Sequence, residues 1–298
     1  MAKADRYLFT PRAAVRMRGF SFAQPIPAGV GSNPPSGAVA YFYFKQKPDT
    51  EVTLEFLTAQ DSVIRRFSTR AKEASDSFKV ETGMNRFVWN LRYPDAHRFK
   101  GMILWAGGTE GPVAVPGAYK VRLTAGGWSE TRSFEVVPDP RVRATAEDFR
   151  RQFGLLLRIR DRVSAANDAV TQTRDIMAQL DGVVERVRGQ ASAKPIAPQA
   201  DSLKAKLSAI EAEIYQVKNR SDQDPLNFPI KLNNKLSALA GVVASADAAP
   251  TDQSYRVFED LSAQLQVQLD RLKAIVATGI PAFNKLVKDQ DVPAVIVR

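Results

Sequence analysis

The sequence predicts a two-domain α+β protein in which an antiparallel β-sandwich precedes an antiparallel four-helix bundle. The 298 residues exceed the ~100–150 residues of one ordinary domain, so two cores are expected. Nineteen of the 26 aromatic residues and 12 of the 17 glycines precede residue 138. Apolar residues recur at every second position in the first half and at every third or fourth position in the second, which are the periods of strands and helices.

Short runs of alternating apolar residues predict the strands of the first half. The clearest runs are Val52-Leu54-Phe56, Phe87-Trp89-Leu91, Tyr119-Val121-Leu123 and Phe134-Val136. Turn-forming Gly, Pro and Asp separate them, so about seven strands fit between residues 39 and 137, as in an all-β sandwich. Alternation also predicts that about half of the aromatic side chains point inward and that Trp89 belongs to the core.

The positions of the prolines predict the domain boundary and the breaks between helices. The Pro138-Asp139-Pro140 segment cannot continue a ladder strand, and Thr145 with Asp148 resembles a capping box that begins a long helix. Further breaks at residues 194–198, 224–229 and 250 leave four helical patterns, and short loops make consecutive helices antiparallel neighbours. The predicted spans are an extended N-terminal arm at 1–37, the sandwich at 38–137 and the bundle at 145–298.

Several segments of the chain are familiar together: 11–12 (PR), 16–19 (RMRG), 83–94 (GMNRFVWNLRYP), 101–105 (GMILW), 115–123 (VPGAYKVRL), 224–235 (DPLNFPIKLNNK) and 245–251 (SADAAPT). With these segments the chain resembles the C-terminal region of bacterial sortilin-like, BNR-repeat β-propeller proteins, which are often labelled glycosyl hydrolases. The resemblance covers nearly the whole chain.

This resemblance implies an immunoglobulin-like sandwich and a helical bundle that follow a secreted β-propeller, with residues 1–18 matching the segment that leaves the propeller. It therefore implies an extracellular or periplasmic location, although no signal-like apolar run is visible and a cytoplasmic location stays open. The hydrolase label belongs to the propeller, and this chain contains no Asp-box repeat. No catalytic residue is carried over from the family.

Composition restricts the chemistry of the chain. With no cysteine and one histidine, His97, thiolate metal sites, iron–sulfur clusters and cysteine nucleophiles are excluded. Asp95 and Glu110 lie near His97 in sequence and are the loose candidates for a glycosidase carboxylate pair, but we expect solvated loop residues. The prediction is no catalytic residue, no metal and no cofactor. The longest apolar stretches, 38–44 and 292–297, are far shorter than the ~20 residues of a transmembrane helix.

Two sets of residues are candidates for binding. Aromatic side chains at loop or strand ends could stack on a sugar, and these are Tyr93, Trp105 and Trp128. Basic side chains could form a docking surface for an acidic protein, since residues 1–137 carry a net charge of +7 of the total +10. They are Arg6, Arg12, Arg16 and Arg18 in the arm and Arg65, Arg66, Arg70 and Lys72 in a second cluster.

The leading hypothesis is a non-catalytic interaction module that docks to a propeller or to another protein partner. The first alternative is a carbohydrate-binding unit or glycoside hydrolase of the same family. The second alternative, nucleic-acid binding, would use the same basic residues for phosphate contacts, but the sequence contains no nucleic-acid-binding motif.

Overall fold

The computed structural model describes residues 4–17, 35–191 and 193–292. The chain divides into two compact units. The first holds the residues up to 95 together with 110–154 and 247–249, and the second holds 96–109, 155–246 and the residues from 250 onward. The loop at 96–109, which the predicted spans include in the sandwich, groups with the helices.

The first unit contains two β-sheets. Its strands are β1 Arg6–Leu8, β2 Ala14–Arg16, β3 Ala38–Phe44, β4 Val52–Thr58, β5 Val63–Ser68, β6 Gly83–Trp89, β7 Gly117–Ala125 and β8 Trp128–Pro138. Between residues 38 and 138 there are thus six strands where the sequence predicts about seven. The end of β8 at Pro138 agrees with the expected stop, because the following Asp139-Pro140 lacks a donor for the ladder.

The strand order separates the two sheets. A three-stranded sheet has the order β1-β3-β6, and a five-stranded, curled sheet has the order β2-β8-β7-β4-β5. All pairs are antiparallel except β2 with β8, where Ala14 lies opposite Val136.

Apolar residues of both sheets form one core. Trp89 on β6 is fully buried, as predicted. Its ring stacks on Phe56 of β4 with centroids 4.7 Å apart, which joins the two sheets. The Tyr119 hydroxyl donates a hydrogen bond to the Val115 carbonyl at 2.8 Å. Period-two alternation supplies this core, because every second residue of each strand faces the same side.

Parts of the predicted N-terminal arm belong to the sheets. Residues 6–8 pair with β3 in the three-stranded sheet, and residues 14–16 pair with β8 in the five-stranded sheet. The buried side chains of Leu8 and Ala14 explain this arrangement, since each fills part of the shared core.

The remaining chain is helical. The helices are α1 Ala146–Arg186, α2 Ala193–Ile214, α3 Leu232–Val243, α4 Asp252–Ala274 and α5 Ile280–Asp289. A π-helical turn at Ile275–Gly279 joins α4 to α5, so the described residues contain four continuous helical segments.

The helix ends follow the signals in the sequence, with one exception. Thr145 and Asp148 form the expected reciprocal capping box, with Asp148 N–H donating to the Thr145 hydroxyl and Thr145 N–H donating to the Asp148 carboxylate. Those bonds from Thr145 lower the pKa of Asp148. The exception is the break predicted at residues 194–198, because α2 begins at Ala193 and includes Pro198. Pro195, the third residue of α2, costs no hydrogen bond because the first four backbone N–H groups of a helix have no partner within it, whereas Pro198, the sixth, removes one helical hydrogen bond.

The second unit has its own apolar core. The predicted seam of α1 supplies much of it, including Ile159, Val163 and Val170, and the loop at 96–109 adds Ala96 and Met102. Among the described residues, no helix is both long enough and apolar enough to cross a membrane. The chain is therefore an α+β protein with two sheets in one unit and helices dominating the other.

Candidate interaction surfaces

The outer face of the three-stranded sheet carries mainly apolar and aromatic side chains. Along β3, Tyr41 and Tyr43 alternate with the buried Phe42 and Phe44, so they point away from the core. We call this surface the aromatic face. Its members are Tyr7, Phe9, Val39, Tyr41, Tyr43, Met84, Arg86 and Val88.

Cross-strand register brings the members of the aromatic face together. Tyr43 lies opposite both Tyr7 and Met84, and Tyr41 lies opposite Arg86. Tyr41 is 45% exposed and Met84 is 56% exposed. Large apolar side chains in one continuous exposed group are uncommon on a sheet face that contacts only water, and such groups mark interaction sites.

The outer face of the five-stranded sheet is polar by comparison. Glu55 on β4 forms an ion pair with Arg122 on β7 at 2.6 Å. Lys120 pairs with Asp61 at 2.8 Å. These neutralised, hydrated groups are what an antiparallel sheet places toward solvent, so the two outer faces of the same unit differ in chemistry.

Charged side chains of β8 close the free edge of β1. The Leu8 N–H donates to the Glu130 carboxylate at 2.9 Å, and Arg132 donates through Nε to the Leu8 carbonyl at 3.1 Å. Arg132 also pairs with Glu130 and lies over the Tyr7 ring. A salt-bridged pair thus satisfies the backbone groups that a neighbouring strand would otherwise bond, and this fixes β1 beside the aromatic face.

The residues of the predicted basic docking surface differ in burial and in the partners that they contact. Arg16 is 8% exposed and forms a buried ion pair with Asp247 at 2.8 Å. Its inclusion in a docking surface is therefore wrong, because its charge is neutralised inside the first unit. Arg18 lies outside the described residues.

The remaining basic candidates have separate roles. Arg6 donates to the Ala125 carbonyl at 2.7 Å, and Arg70 donates to the Asp49 carbonyl at 3.0 Å. Arg65 forms an ion pair with Asp76, and Arg66 forms one with Glu51. Arg12 and Lys72 are exposed and have no ion pair among the described residues.

The three aromatic candidates differ in exposure. Tyr93 is partly buried, packs edge-on against Phe153 with centroids 4.8 Å apart, and burial raises the pKa of its hydroxyl. Trp128 is partly buried against the first core. Trp105, in the second unit, is 37% exposed.

One side chain of helix α3 makes two hydrogen bonds to the backbone of Trp105. Trp105 N–H donates to the Asn234 side-chain oxygen at 2.8 Å, and the Asn234 amide donates to the Trp105 carbonyl at 2.7 Å. Asn234 is itself 3% exposed. The tryptophan is therefore fixed before any ligand arrives, which reduces the entropy lost on binding.

The carboxylates considered for glycoside hydrolysis have structural partners or solvent around them. Asp95 accepts a hydrogen bond from the Gly111 N–H at 2.8 Å, and Glu110 is exposed. His97 pairs with Asp168 of α1 at 2.9 Å, an exposed contact that sequence spacing does not indicate. Within the described ranges, no group of three or more His, Cys, Asp or Glu residues could hold a metal ion.

Comparisons with known proteins add little to this picture. No protein-family model matches the chain, and no curated protein matches it. A solved structure described as "pT26-6p" is 12% identical, with a TM-score of 0.18, and the match covers 87% of this chain and 48% of that one. The chain thus spans about half the length of that structure, and at this TM-score the likeness carries no argument about fold or function.

Proposed function

We propose that this chain is a non-catalytic interaction module that docks to a protein partner through the aromatic face. The carrying observation is the contrast between the two outer sheet faces. The outer face of the five-stranded sheet carries ion pairs such as Glu55–Arg122, whereas the aromatic face exposes Tyr41 and Met84. Burying such side chains contributes roughly 25 cal/mol per Å² of apolar surface, so the aromatic face gains more from a partner.

The proposal includes an immunoglobulin-like sandwich followed by a helical bundle. The expectation that all consecutive helices are antiparallel does not hold, because residues 158 and 162 of α1 lie beside 258 and 262 of α4, so these two helices run in the same direction. The strand order supports the sandwich, because the N-terminal segment contributes β1 to one sheet and β2, in parallel with β8, to the other. The bond from the Tyr119 hydroxyl to Val115 also resembles the tyrosine corner of that fold, in which a tyrosine near the start of the penultimate strand bonds the backbone just upstream.

The partner we propose is the β-propeller that the family resemblance implies, in an extracellular or periplasmic compartment. The resemblance matches residues 1–18 with the segment that leaves the propeller, and β1 at Arg6–Leu8 borders the aromatic face.

Capture from the cells that make the protein, followed by mass spectrometry, tests this proposal. The tagged chain should retain a protein with β-propeller repeats. The double variant Tyr41→Asp with Met84→Asp should lose that protein. A matched control, Thr131→Asp with Ser133→Asp on the five-stranded sheet, should keep it. Recovery of free monomer alone, or equal capture by both double variants, would overturn the proposal.

A carbohydrate-binding role is the second candidate, and the observation that favours it is Trp105. This ring is exposed and its backbone is fixed by Asn234, as suits stacking on a sugar face. Affinity electrophoresis in polysaccharide gels separates the candidates, since retardation that disappears in Trp105→Ala but persists in Tyr41→Asp would favour sugar binding.

A further inference from the structure

A cavity of about 460 Å³ lies between helices α1 and α4 of the second unit. Two arginines one helical turn apart on α1, Arg158 and Arg162, form one wall. Phe258 and Ser262, one turn apart on α4, form the opposite wall. The guanidinium of Arg158 lies over the Phe258 ring, 4.6 Å from its centroid, which is a cation–π geometry that holds the charge at the cavity.

Neither arginine of this cavity has a carboxylate partner among the described residues. Arg162 donates through Nη2 to the Ser262 carbonyl at 2.7 Å and through Nη1 to the Gln266 side chain at 3.2 Å, both neutral acceptors. The one acidic residue on the cavity wall, Asp161, is already paired with Arg160 at 2.6 Å. The cavity therefore contains two positive charges without a counter-charge of their own.

Two polar atoms of the cavity wall are buried without a hydrogen-bond partner. They are Nε of Arg162 and the hydroxyl oxygen of Ser262. Burial lowers the pKa of Arg162, which reflects the loss of water around its charge. Buried donors are ordinarily satisfied, and each orphan costs about 1–3 kcal/mol. Like charges at positions i and i+4 of a helix add to that cost.

We propose that this cavity binds an oxyanion, a phosphate or carboxylate group, between Arg158, Arg162 and Ser262. An oxyanion supplies the missing negative charge and accepts several hydrogen bonds at once, and planar guanidinium groups bind both kinds with two parallel bonds. This site is independent of the docking role proposed for the aromatic face, because all its residues belong to the second unit.

A second cavity, of about 270 Å³, follows one turn further along the same two helices. Its α4 side is mainly apolar, with Leu269, Leu272 and Val276 beside Lys273, whereas its α1 side combines Ala165 and Ala169 with Asp168 and Gln172. An oxyanion that carries a short alkyl chain could extend into it. The source of the anion, free or attached to an alkyl group, is thus a question for the experiment.

Calorimetric titration of the intact chain with sodium phosphate, at an ionic strength held constant with sodium chloride, tests the site. We expect saturable binding of one phosphate per chain. Arg158→Gln should weaken phosphate binding about tenfold or more, because it removes a charge-assisted hydrogen bond. Arg158→Lys should weaken it less than Arg158→Gln does, since it keeps the charge. Arg150→Gln, an exposed arginine of α1 that pairs with Glu147, is the matched control and should bind as the parent does.

Parallel titrations with hexyl phosphate and hexanoate identify the source of the anion. Hexyl phosphate should bind about fourfold tighter than phosphate for each methylene that the second cavity buries, and equal affinity would identify the free anion instead. Arg158 is exposed, so its variants should fold, and a melting temperature for each variant checks this. Heats that never saturate for any of the three anions, or an Arg158→Gln variant that binds like the parent, would overturn the proposal.

Discussion

The buried ion pair between Arg16 and Asp247 gives the sharpest prediction about stability. Its side chains are 9% and 5% exposed, and the two charges lie 2.8 Å apart. The Arg16 guanidinium also lies over the Phe149 ring at 4.6 Å and donates to Gln152. Asp247→Ala therefore leaves a cation in a site with little water.

The expected cost of Asp247→Ala is large. Removing one partner of a buried pair destabilises by about 3–5 kcal/mol, against a typical total of ~5–15 kcal/mol. The exposed pair Lys47–Glu81, with side chains 58% and 69% exposed, is the matched control, and Glu81→Ala should cost at most about 1 kcal/mol. Replacing both buried partners, Arg16→Met with Asp247→Leu, should recover most of the loss.

Urea unfolding followed by tryptophan fluorescence measures these differences. In a Trp105→Phe background the remaining tryptophans, Trp89 and Trp128, both report on the first unit. This separation matters because two units need not unfold in one transition. An Asp247→Ala variant within about 1 kcal/mol of the parent, or a double variant no more stable than the single one, would refute a buried, mutually dependent pair.

Three further predictions concern single contacts. Tyr119→Phe removes the hydroxyl that bonds Val115 and should lower the free energy of unfolding by about 0.5–1.5 kcal/mol, as measured in urea. Hydrogen bonds from the Arg141 side chain lower the pKa of Asp139 to about 2, so this carboxylate should stabilise the fold fully above pH ~4 and lose that effect as the pH falls toward 2. An NMR titration of Asp139 should show that midpoint, and Arg141→Gln should move it upward. Thr251→Ala removes the side chain that caps α4 and should cost about 1 kcal/mol in thermal unfolding.

Local patterns predicted the elements that local physics determines. The alternation at Phe87-Trp89-Leu91 correctly predicts that Trp89 belongs to the core, because a strand sends successive side chains to opposite faces. The capping pair Thr145 and Asp148 correctly predicts the start of α1 to within one residue. Such signals act within a few residues, so one sequence contains them entirely.

The same local patterns could not predict contacts between residues that are distant in the sequence. Arg16 resembles a surface residue in sequence, and its partner Asp247 lies in the segment before α4, more than two hundred residues away. The strands β1 and β2 have three residues each, which is too short for an alternation of apolar and polar residues to be recognised in the sequence. The aromatic face becomes visible only when register aligns Tyr7, Tyr43 and Met84 across three strands.

Net charge is a poor guide to where this protein would hold an anion. The half with the larger excess, +7 over residues 1–137, uses several of its arginines internally. Arg16 neutralises Asp247, and Arg132 bonds the backbone of β1. The half with the smaller excess, +3 over residues 138–298, contains Arg158 and Arg162 without carboxylate partners beside a cavity. Because binding depends on charges that lack a local counter-charge, the nearly balanced half is the better place to search for an oxyanion.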